Sequence, residues 1–299
     1  EEDALRMLRA VRFAGQLNFR IEHSTREAIA ACCENIRDVS AERIQMELLK
    51  LLISGHPEIL KEAYSTGLTA VFFPEFDRMM DTAQRNPHHC YSVGEHTLHA
   101  VRTIEPNPVL RLTMLLHDVG KPATKTTDEY GIDHFYNHYK VGADMSKEIL
   151  KRLKFDNKTI QIVCQLISHH DIRFKDPKTH GRRHVRKVMH SIGPTLFPYL
   201  LKVMEADVRS QSDYYQAEKL AILKETWEAY EEILKDQDCL SLKDLKINGN
   251  QLKALGIREG KVIGAILNTL LSMVLEHPEL NEYSYLKELA LKIYRVPSQ

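Results

Sequence analysis

The chain has 299 residues, of which 43% are hydrophobic, and its 41 lysines and arginines balance its 41 aspartates and glutamates. This composition is that of an ordinary folded protein with one large or two to three small cores, and a net charge of zero excludes a polycation that binds RNA through bulk charge. We expect no membrane association, because no apolar run approaches the ~18 to 20 residues of a spanning helix and the charged start resembles no signal peptide. We expect a cytoplasmic location, because the five cysteines form no C-x-x-C pair and their odd number indicates reduced thiols.

The first predicted helix carries an acidic and a basic residue on one face. Asp3 and Arg6 are three residues apart, while Leu5 and Leu8 fall on roughly the opposite side and can pack inward. A carboxylate beside a guanidinium matches the Watson–Crick edges of cytosine and adenine, which present an amino donor beside an unprotonated ring nitrogen, and mismatches guanine and uracil. A solvated ion pair on a helix surface has the same spacing and is the alternative.

The residues around this pair resemble one enzyme family. E-D-x-x-R followed by L-R-A-V-R-F-A is similar to the neck of the bacterial CCA-adding tRNA nucleotidyltransferases of the class that includes poly(A) polymerase. The resemblance implies that Asp3 and Arg6 select CTP and ATP without a nucleic-acid template, and that Arg9 and Arg12 face the nucleotide. For the last two residues, a plain basic helix face is the alternative.

The same resemblance implies a catalytic head before the neck, with a glycine-serine turn and a D-x-D pair that binds Mg²⁺. The D-x-D of this chain, Asp236 to Asp238, lies between helical stretches without a glycine turn, and we interpret it as helix-end capping. We therefore expect a C-terminal fragment without the head. Such a fragment contributes nucleotide selection and tRNA binding to CCA addition but does not itself transfer nucleotides.

Apolar residues recur at spacings of three and four through most of the chain, which predicts an all-α fold. One strand-like stretch, 130–135, follows Asp128 and predicts a short hairpin. We divide the chain into residues 1–85 as neck and body with nucleotide-selecting and RNA-binding helices, residues 86–212 as a second module, and residues 213–299 as a helical tail that binds tRNA.

The second module holds a metal-ligand set in three separate segments: His96, then His117 and Asp118 at the end of an apolar helix, then Asp207. Two imidazoles and two carboxylates suit Mn, Fe, Co, Ni or Zn better than Ca or Mg. Four protein ligands leave open positions for water and a phosphate oxygen, and Lys121 offers a point charge for a phosphate. Buried histidines held by hydrogen bonds are the alternative.

The segments that carry these residues, E-H-T-x-x-x-A-V, R-L-x-x-L-L-H-D-V-G-K-P and a later A-D, resemble the HD superfamily of metal-dependent phosphohydrolases. His138, His169 and His170 match the positions at which two-metal members of that superfamily add ligands, so we expect a second metal there. A solvated, titrating surface is the alternative for these histidines.

A basic run follows the histidines and either contacts an RNA backbone or forms a solvated helix face. It consists of Arg173, Lys175, Lys178, Arg182, Arg183, Arg186 and Lys187. In the tail, K-I-N-G-N-Q-L-K-A-L-G-I-R-E-G-K-V-I-G resembles the carboxy-terminal module of the family. We interpret Gly256 and Gly260 there as a helix cap and a helix start rather than as a phosphate site.

The leading hypothesis is thus the neck, body and tail of a tRNA nucleotidyltransferase with an embedded HD domain. Its partners are tRNA, CTP and ATP, its cofactor is a divalent metal ion, and its oligomeric state is left open. A stand-alone HD phosphohydrolase or phosphodiesterase and a catalytically silent RNA-binding scaffold are the alternatives. Poly(A) addition is a close variant that the neck does not exclude.

Overall fold

The computed structural model describes residues 3–86, 91–175, 182–257 and 260–295. Helices dominate, as predicted, and one short hairpin interrupts them. The α-helices are α1 Leu5–Leu17, α2 His23–Cys32, α3 Ala41–Leu52, α4 Leu60–Ser65, α5 Leu68–Phe72, α6 Pro74–Met80, α7 Val93–Thr103, α8 Pro108–Leu116, α9 Lys121–Thr124, α10 His138–Arg152, α11 Asn157–His169, α12 Arg182–Ile192, α13 Phe197–Arg209, α14 Gln216–Lys235, α15 Gly249–Ala254, α16 Gly260–Glu276 and α17 Tyr283–Arg295. Short 3₁₀ helices span Cys33–Asp38, Pro57–Ile59 and Pro278–Leu280. Among the described residues, every helix is too short or too polar to cross a membrane.

Two compact units divide the chain. The first contains Glu1–Ile172 and Tyr199–Leu220, and the second contains Arg173–Pro198 and Ala221–Gln299. Within the first unit a single apolar core extends from Leu5 to Ala206, so the helices of the predicted neck and body share their interior with those of the second predicted module. The division into three modules stays a prediction.

Two helices of the first unit start at side-chain caps that fix their positions. Ser92 precedes α7, and its hydroxyl accepts a hydrogen bond from the Glu95 amide. The Asn107 carboxamide oxygen accepts bonds from two amides of α8, and Pro108 follows at the first helical position. Because residues 110–116 are all buried, α8 is surrounded by the core on every side. It therefore holds the residues that follow it in the centre of the core.

A close backbone contact joins the end of this segment to α10. A Cβ atom on Gly120 would lie 2.3 Å from the His138 carbonyl oxygen and 2.6 Å from the Gly142 nitrogen. A side chain larger than hydrogen therefore does not fit, and glycine lets the start of α10 approach the turn after α8. This contact brings His138 near the residues that end α8.

The predicted hairpin is confirmed. Strand β1, Lys125–Thr127, pairs in antiparallel fashion with β2, Asp133–Phe135, and Thr126 lies opposite His134. The Asp128 carboxylate accepts bonds from the amides of Tyr130 and Ile132, and Gly131 supplies the positive φ of 77° that the turn needs. The second strand thus starts at Asp133, a few residues inside the predicted stretch.

A buried arginine ties α8 to the end of α3. Arg111 donates hydrogen bonds to the backbone carbonyls of Leu52, Ser54 and Ile104. The carbonyls that end a helix have no partner within that helix, so this guanidinium supplies donors that the backbone lacks.

In the second unit, the described part of the basic run is largely engaged in ion pairs. Arg182 pairs with Asp236, and Arg186 pairs with Asp238 and donates to the backbone carbonyls of the last two residues of α16. Arg183 and Lys187 both contact Glu276, and Lys178 lies outside the described residues. These side chains of α12 are thus paired within the protein, and the choice between an RNA-backbone contact and a solvated helix face stays a prediction.

The other tail residues lie at helix ends. Asp236 directly follows α14, as the helix-end interpretation requires, but the carboxylates of Asp236 and Asp238 bind arginines rather than cap a helix. Gly256 has a φ of 94° just after α15, and Gly260 begins α16. The interpretation of these glycines as a cap and a start is confirmed.

Candidate metal centre and nucleotide-selecting helix

The structure brings the residues of the first ligand set together. His96 lies in the first turn of α7, His117 and Asp118 directly follow α8, and Asp207 lies near the end of α13. His96 Nε2 is 2.9 Å from Asp207 Oδ1 and 3.4 Å from His117 Nε2, which is 3.3 Å from Asp118 Oδ2. Both imidazoles are fully buried, and Asp207 is 20% exposed at its side chain. The site therefore opens on the Asp207 side.

Two further histidines approach the other oxygen of Asp118. His138 Nε2 and His170 Nε2 are 3.2 Å apart, and they lie 3.6 and 3.8 Å from Asp118 Oδ1. Asp118 thus presents Oδ2 to one group of ligands and Oδ1 to the other. A carboxylate in this position can bridge two ions.

All four imidazoles have the same hydrogen-bonding arrangement. Each Nδ1 faces a backbone carbonyl oxygen, which only accepts hydrogen bonds, so Nδ1 carries the proton and Nε2 bears the lone pair when the ring is neutral. The pairs are His96 with Ser210, His117 with Met114, His138 with Phe135 and His170 with Ile167, at 3.2, 2.7, 2.8 and 2.7 Å. Such outer contacts are typical of metal-ligating histidines, because they fix the tautomer and aim the ring.

The distances fit divalent ions. Two N or O ligands at 2.0–2.2 Å from one ion are about 3 to 3.5 Å apart in tetrahedral or octahedral geometry. His96, His117 and Asp118 offer atoms within 4.8 Å of one another, and so do Asp118, His138 and His170. Both groups can therefore hold an ion with little movement.

His169 is not part of either group. Its Nδ1 is 2.8 Å from the Gln165 carbonyl oxygen and 2.9 Å from the Ser168 hydroxyl. At the end of α11, adjacent side chains point in different directions, so His170 alone of the pair H-H contributes to the described cluster. Sequence spacing could not decide between the two.

Lys121 is buried inside the site. Its ammonium nitrogen is 2.7 Å from Asp118 Oδ2 and donates to the Gln84 side-chain oxygen at 2.8 Å. It also lies 5.4 Å from the centre of the Phe135 ring. Lys121, which the sequence predicts to bind a phosphate, is thus next to the ligand carboxylate of Asp118.

The carboxylates control the charge of the centre. Burial disfavours the charged form of His117, but Asp118 and Asp207 outweigh burial and raise the pKa of His117 to about 10. Burial likewise opposes ionisation of the two aspartates, yet their imidazole and lysine neighbours hold both carboxyl pKa values well below the usual range. The two ionised carboxylates are thus balanced by the Lys121 ammonium and the His117 imidazolium.

Two glutamines that were not predicted from the sequence support the centre. Gln211 donates to Asp207 Oδ2 at 2.9 Å and accepts from Lys219 at 2.7 Å, while Gln84 accepts from Lys121. The spacing of four between Asp207 and Gln211 on a helix was a usable signal. Gln84 is far from its partner in sequence, so no local pattern indicates it.

At the helix that is predicted to select nucleotides, Asp3 and Arg6 are both exposed at the start of α1. Asp3 precedes the helix, and its Oδ1 accepts a hydrogen bond from the Leu5 amide at 3.2 Å. Its Oδ2 pairs with Arg43 of α3, which holds the pKa of the Asp3 carboxyl below its ordinary value. Leu5 and Leu8 are buried, as their spacing predicted.

The two other arginines of α1 differ in their surroundings. Arg9 is exposed. Arg12 is buried, pairs through Nε with Glu47 of α3 at 2.5 Å, donates to Gln16 at 2.6 Å, and lies over the Phe13 ring. The ion pair between Arg12 and Glu47 therefore joins α1 to α3.

The fold and the site together define a class of protein, namely helical proteins with an HD-type set of candidate metal ligands. Comparison with known proteins agrees. Residues 18–80 match the family described as "Probable RNA and SrmB- binding site of polymerase A", and residues 88–211 match the HD domain. The chain thus carries a segment that matches an RNA-binding family and an HD domain, and it is similar to bacterial tRNA nucleotidyltransferases over most of its length.

Three relatives illustrate the similarity. The chain is 31% identical over 285 residues to the CC-adding tRNA nucleotidyltransferase of Thermus thermophilus, covering 90% of this chain and 62% of that protein. It is 31% identical over 218 residues to the A-adding tRNA nucleotidyltransferase of Deinococcus radiodurans, with 69% and 49% covered. It is 30% identical over 240 residues to the Multifunctional CCA protein of Actinobacillus pleuropneumoniae, with 73% and 57% covered. The chain thus spans about half to six tenths of these relatives.

Proposed function

We propose that this chain supplies nucleotide selection and tRNA binding to a cytoplasmic enzyme that adds C, C and A to tRNA 3′ ends from CTP and ATP. The observation that carries the proposal is the similarity to a tRNA nucleotidyltransferase over 90% of the chain. The match of residues 18–80 to an RNA-binding family supports the tRNA part. Addition of only C or only A, as the names of two relatives state, and poly(A) addition are variants within the same proposal.

Selection is proposed to occur at the start of α1. The Asp3 carboxylate is ionised and anchored by the Leu5 amide and Arg43, yet two oxygens offer about four acceptor positions. A remaining position accepts a hydrogen bond from the cytosine or adenine amino group, and Arg6 donates a hydrogen bond to the neighbouring ring nitrogen. Exposed Arg9 lies within the same face, whereas buried Arg12 holds α1 in place.

The test is nucleotide choice by the whole protein that contains this chain. Asp3→Ala should lower the preference for CTP over UTP by at least about tenfold, because a matched polar pair is what rejects the wrong base. Asp38→Ala, at another exposed aspartate, is the control. Unchanged choice in Asp3→Ala would refute the pairing role.

A second function is favoured by the convergence of four imidazole Nε2 atoms on the two oxygens of Asp118 and on Asp207. We propose that this centre holds one or two divalent ions, of which Mn, Ni, Fe, Co and Zn suit the ligands, and hydrolyses phosphoesters. Such ions supply an activated water and polarise the phosphate. His96, His117, Asp118 and Asp207 would hold the first ion.

Asp118, His138 and His170 would hold the second ion. Lys121 lies beside Asp118 and is the cation that can neutralise charge on a bound phosphate. Gln211 keeps Asp207 oriented toward the imidazoles by holding its outer oxygen.

Adjacent histidines provide the experiment. His170→Ala should remove the second ion and lower hydrolysis of a 2′,3′-cyclic phosphate in the presence of Mn²⁺ or Ni²⁺, whereas the matched control His169→Ala should leave metal content unchanged. Equal metal content in both variants would refute the ligand assignment. Neither metal nor turnover in the unsubstituted chain would show that the HD fold serves as a scaffold.

A further inference from the structure

The turn between α13 and α14 carries outer contacts of two candidate metal ligands. The Ser210 carbonyl oxygen faces His96 Nδ1, and the Gln211 side-chain nitrogen donates to Asp207 Oδ2 at 2.9 Å. The Lys219 ammonium group, in the first turn of α14, donates in turn to the Gln211 side-chain oxygen at 2.7 Å. All five residues belong to the first unit. A chain of hydrogen bonds therefore leads from α14 to the candidate ligand Asp207.

Asp207 is the ligand of the first set that most needs such support. Its side chain is 20% exposed, whereas the side chains of His96, His117 and Asp118 are 1–2% exposed. The last side-chain torsion of an aspartate is broad, so the backbone alone does not fix the carboxylate. Oδ1 of Asp207, which lies 2.9 Å from His96 Nε2, keeps its place because Gln211 holds Oδ2 on the other side.

The order of donors and acceptors fixes the Gln211 carboxamide. An ammonium group only donates hydrogen bonds, and an ionised carboxylate only accepts them. The carboxamide between Lys219 and Asp207 therefore satisfies both neighbours only when its oxygen faces the lysine and its nitrogen faces the aspartate, which is the arrangement observed. Without the lysine, a side chain that loses much rotamer entropy when it is held loses the donor to its oxygen.

The charge of Lys219 argues against a purely electrostatic role. A single carboxamide group separates this ammonium from Asp207, and like charges repel, so the field of the lysine disfavours a cation at the centre. Lys219 therefore weakens metal binding through space and supports it only through Gln211. Because the two effects have opposite signs, substitution separates them.

We propose that Lys219 is a positioning residue of the metal centre, which holds the Gln211 carboxamide so that Asp207 Oδ1 stays directed toward the imidazoles. The inference rests on the proposed metal centre and extends it to the first turn of α14. Its role differs from that of Lys121, which contacts the ligand Asp118 directly. Outer partners of metal ligands typically contribute about 10–100-fold to metal affinity.

The test measures the dissociation constant of Mn²⁺ by calorimetry. Lys219→Met should weaken Mn²⁺ binding by at least about tenfold, whereas loss of a repelling charge alone would strengthen it. Lys219→Arg retains a donor to the Gln211 oxygen and should restore most of the affinity. Lys224→Met, which removes the same charge from an exposed position further along α14, is the matched control and should leave the affinity unchanged. Thermal unfolding of the metal-free chain should be the same in all of these proteins.

A double variant tests whether the lysine acts through the glutamine. Gln211→Leu should itself weaken Mn²⁺ binding, and adding Lys219→Met to it should cause no further loss, because the two side chains act as one unit. Unchanged or tighter binding in Lys219→Met, or losses that add in the double variant, would overturn the role of Lys219 and leave the metal centre standing. Failure of the unsubstituted chain to bind Mn²⁺ would contradict the metal centre and the role of Lys219 with it.

Discussion

Replacing Gly120 with alanine tests whether the close contact between the turn after α8 and α10 sets the metal centre. The new Cβ would lie 2.3 Å from the His138 carbonyl oxygen and 2.6 Å from the Gly142 nitrogen, whereas ordinary contacts need about 3.5 Å. The two backbone segments must therefore separate by roughly 1 Å. Overpacking of this kind costs about 1–3 kcal/mol of unfolding free energy, which corresponds to a fall in Tm of roughly 2–12 °C for a unit of this size.

The shift also moves His138 away from Asp118, so Gly120→Ala should weaken binding of a second ion more than binding of a first. Gly142→Ala is the matched control, because its Cβ would have no neighbour closer than 3.4 Å and alanine is favoured over glycine inside a helix by up to about 1 kcal/mol. Thermal unfolding followed by circular dichroism and metal content after equilibrium dialysis are the measurements. A Gly120→Ala protein with unchanged Tm and two bound ions would refute the reasoning.

Three further predictions use other contacts. Arg111→Met should lower the free energy of unfolding by about 2–4 kcal/mol in urea, since three buried carbonyls lose their donor; a loss below about 0.5 kcal/mol would contradict that role. Metal binding at neutral pH should release a proton from His117, because the pKa of this imidazole is raised to about 10. The affinity for the metal ion should therefore rise with pH. Calorimetry in buffers of different ionisation enthalpy measures the number of protons released, and a value of zero would contradict this prediction. Burial opposes ionisation of Asp133, but the Lys125 ammonium and other donors lower its pKa to about 2. Its ionised form therefore contributes stability above the unfolded pKa of about 3.9, and that contribution is lost as pH falls toward 2. The stability difference between wild type and Asp133→Asn should accordingly shrink between pH 5 and pH 2, and a constant difference would contradict the assignment.

Local patterns in the sequence indicated the features that depend on neighbours along the chain. The spacing of Leu5 and Leu8 indicated the buried face of α1, and the residues after Asp128 indicated the hairpin. These features follow from the period of a helix and from turn chemistry, which a short segment determines by itself.

Contacts between distant segments could not be predicted from local patterns in the sequence. Arg43, 40 residues from Asp3, pairs with it across two helices, and Gln84 meets Lys121 through packing that no local pattern encodes. The choice of His170 over His169 depends on how α11 is rotated against α8 and α10. These are consequences of the tertiary arrangement, so they required coordinates.

Residues 5 to 206 share one apolar interior, to which both the HD domain and the segment that matches the RNA-binding family contribute. Neither set of helices can therefore be lost without disturbing the other. Deleting either set would expose the other's packed face to water, at a cost far larger than a domain's net stability of roughly 5–15 kcal/mol. Loss of ligating side chains removes chemistry but no helix. A lineage can therefore lose the ligating side chains and still keep every helix of the shared core.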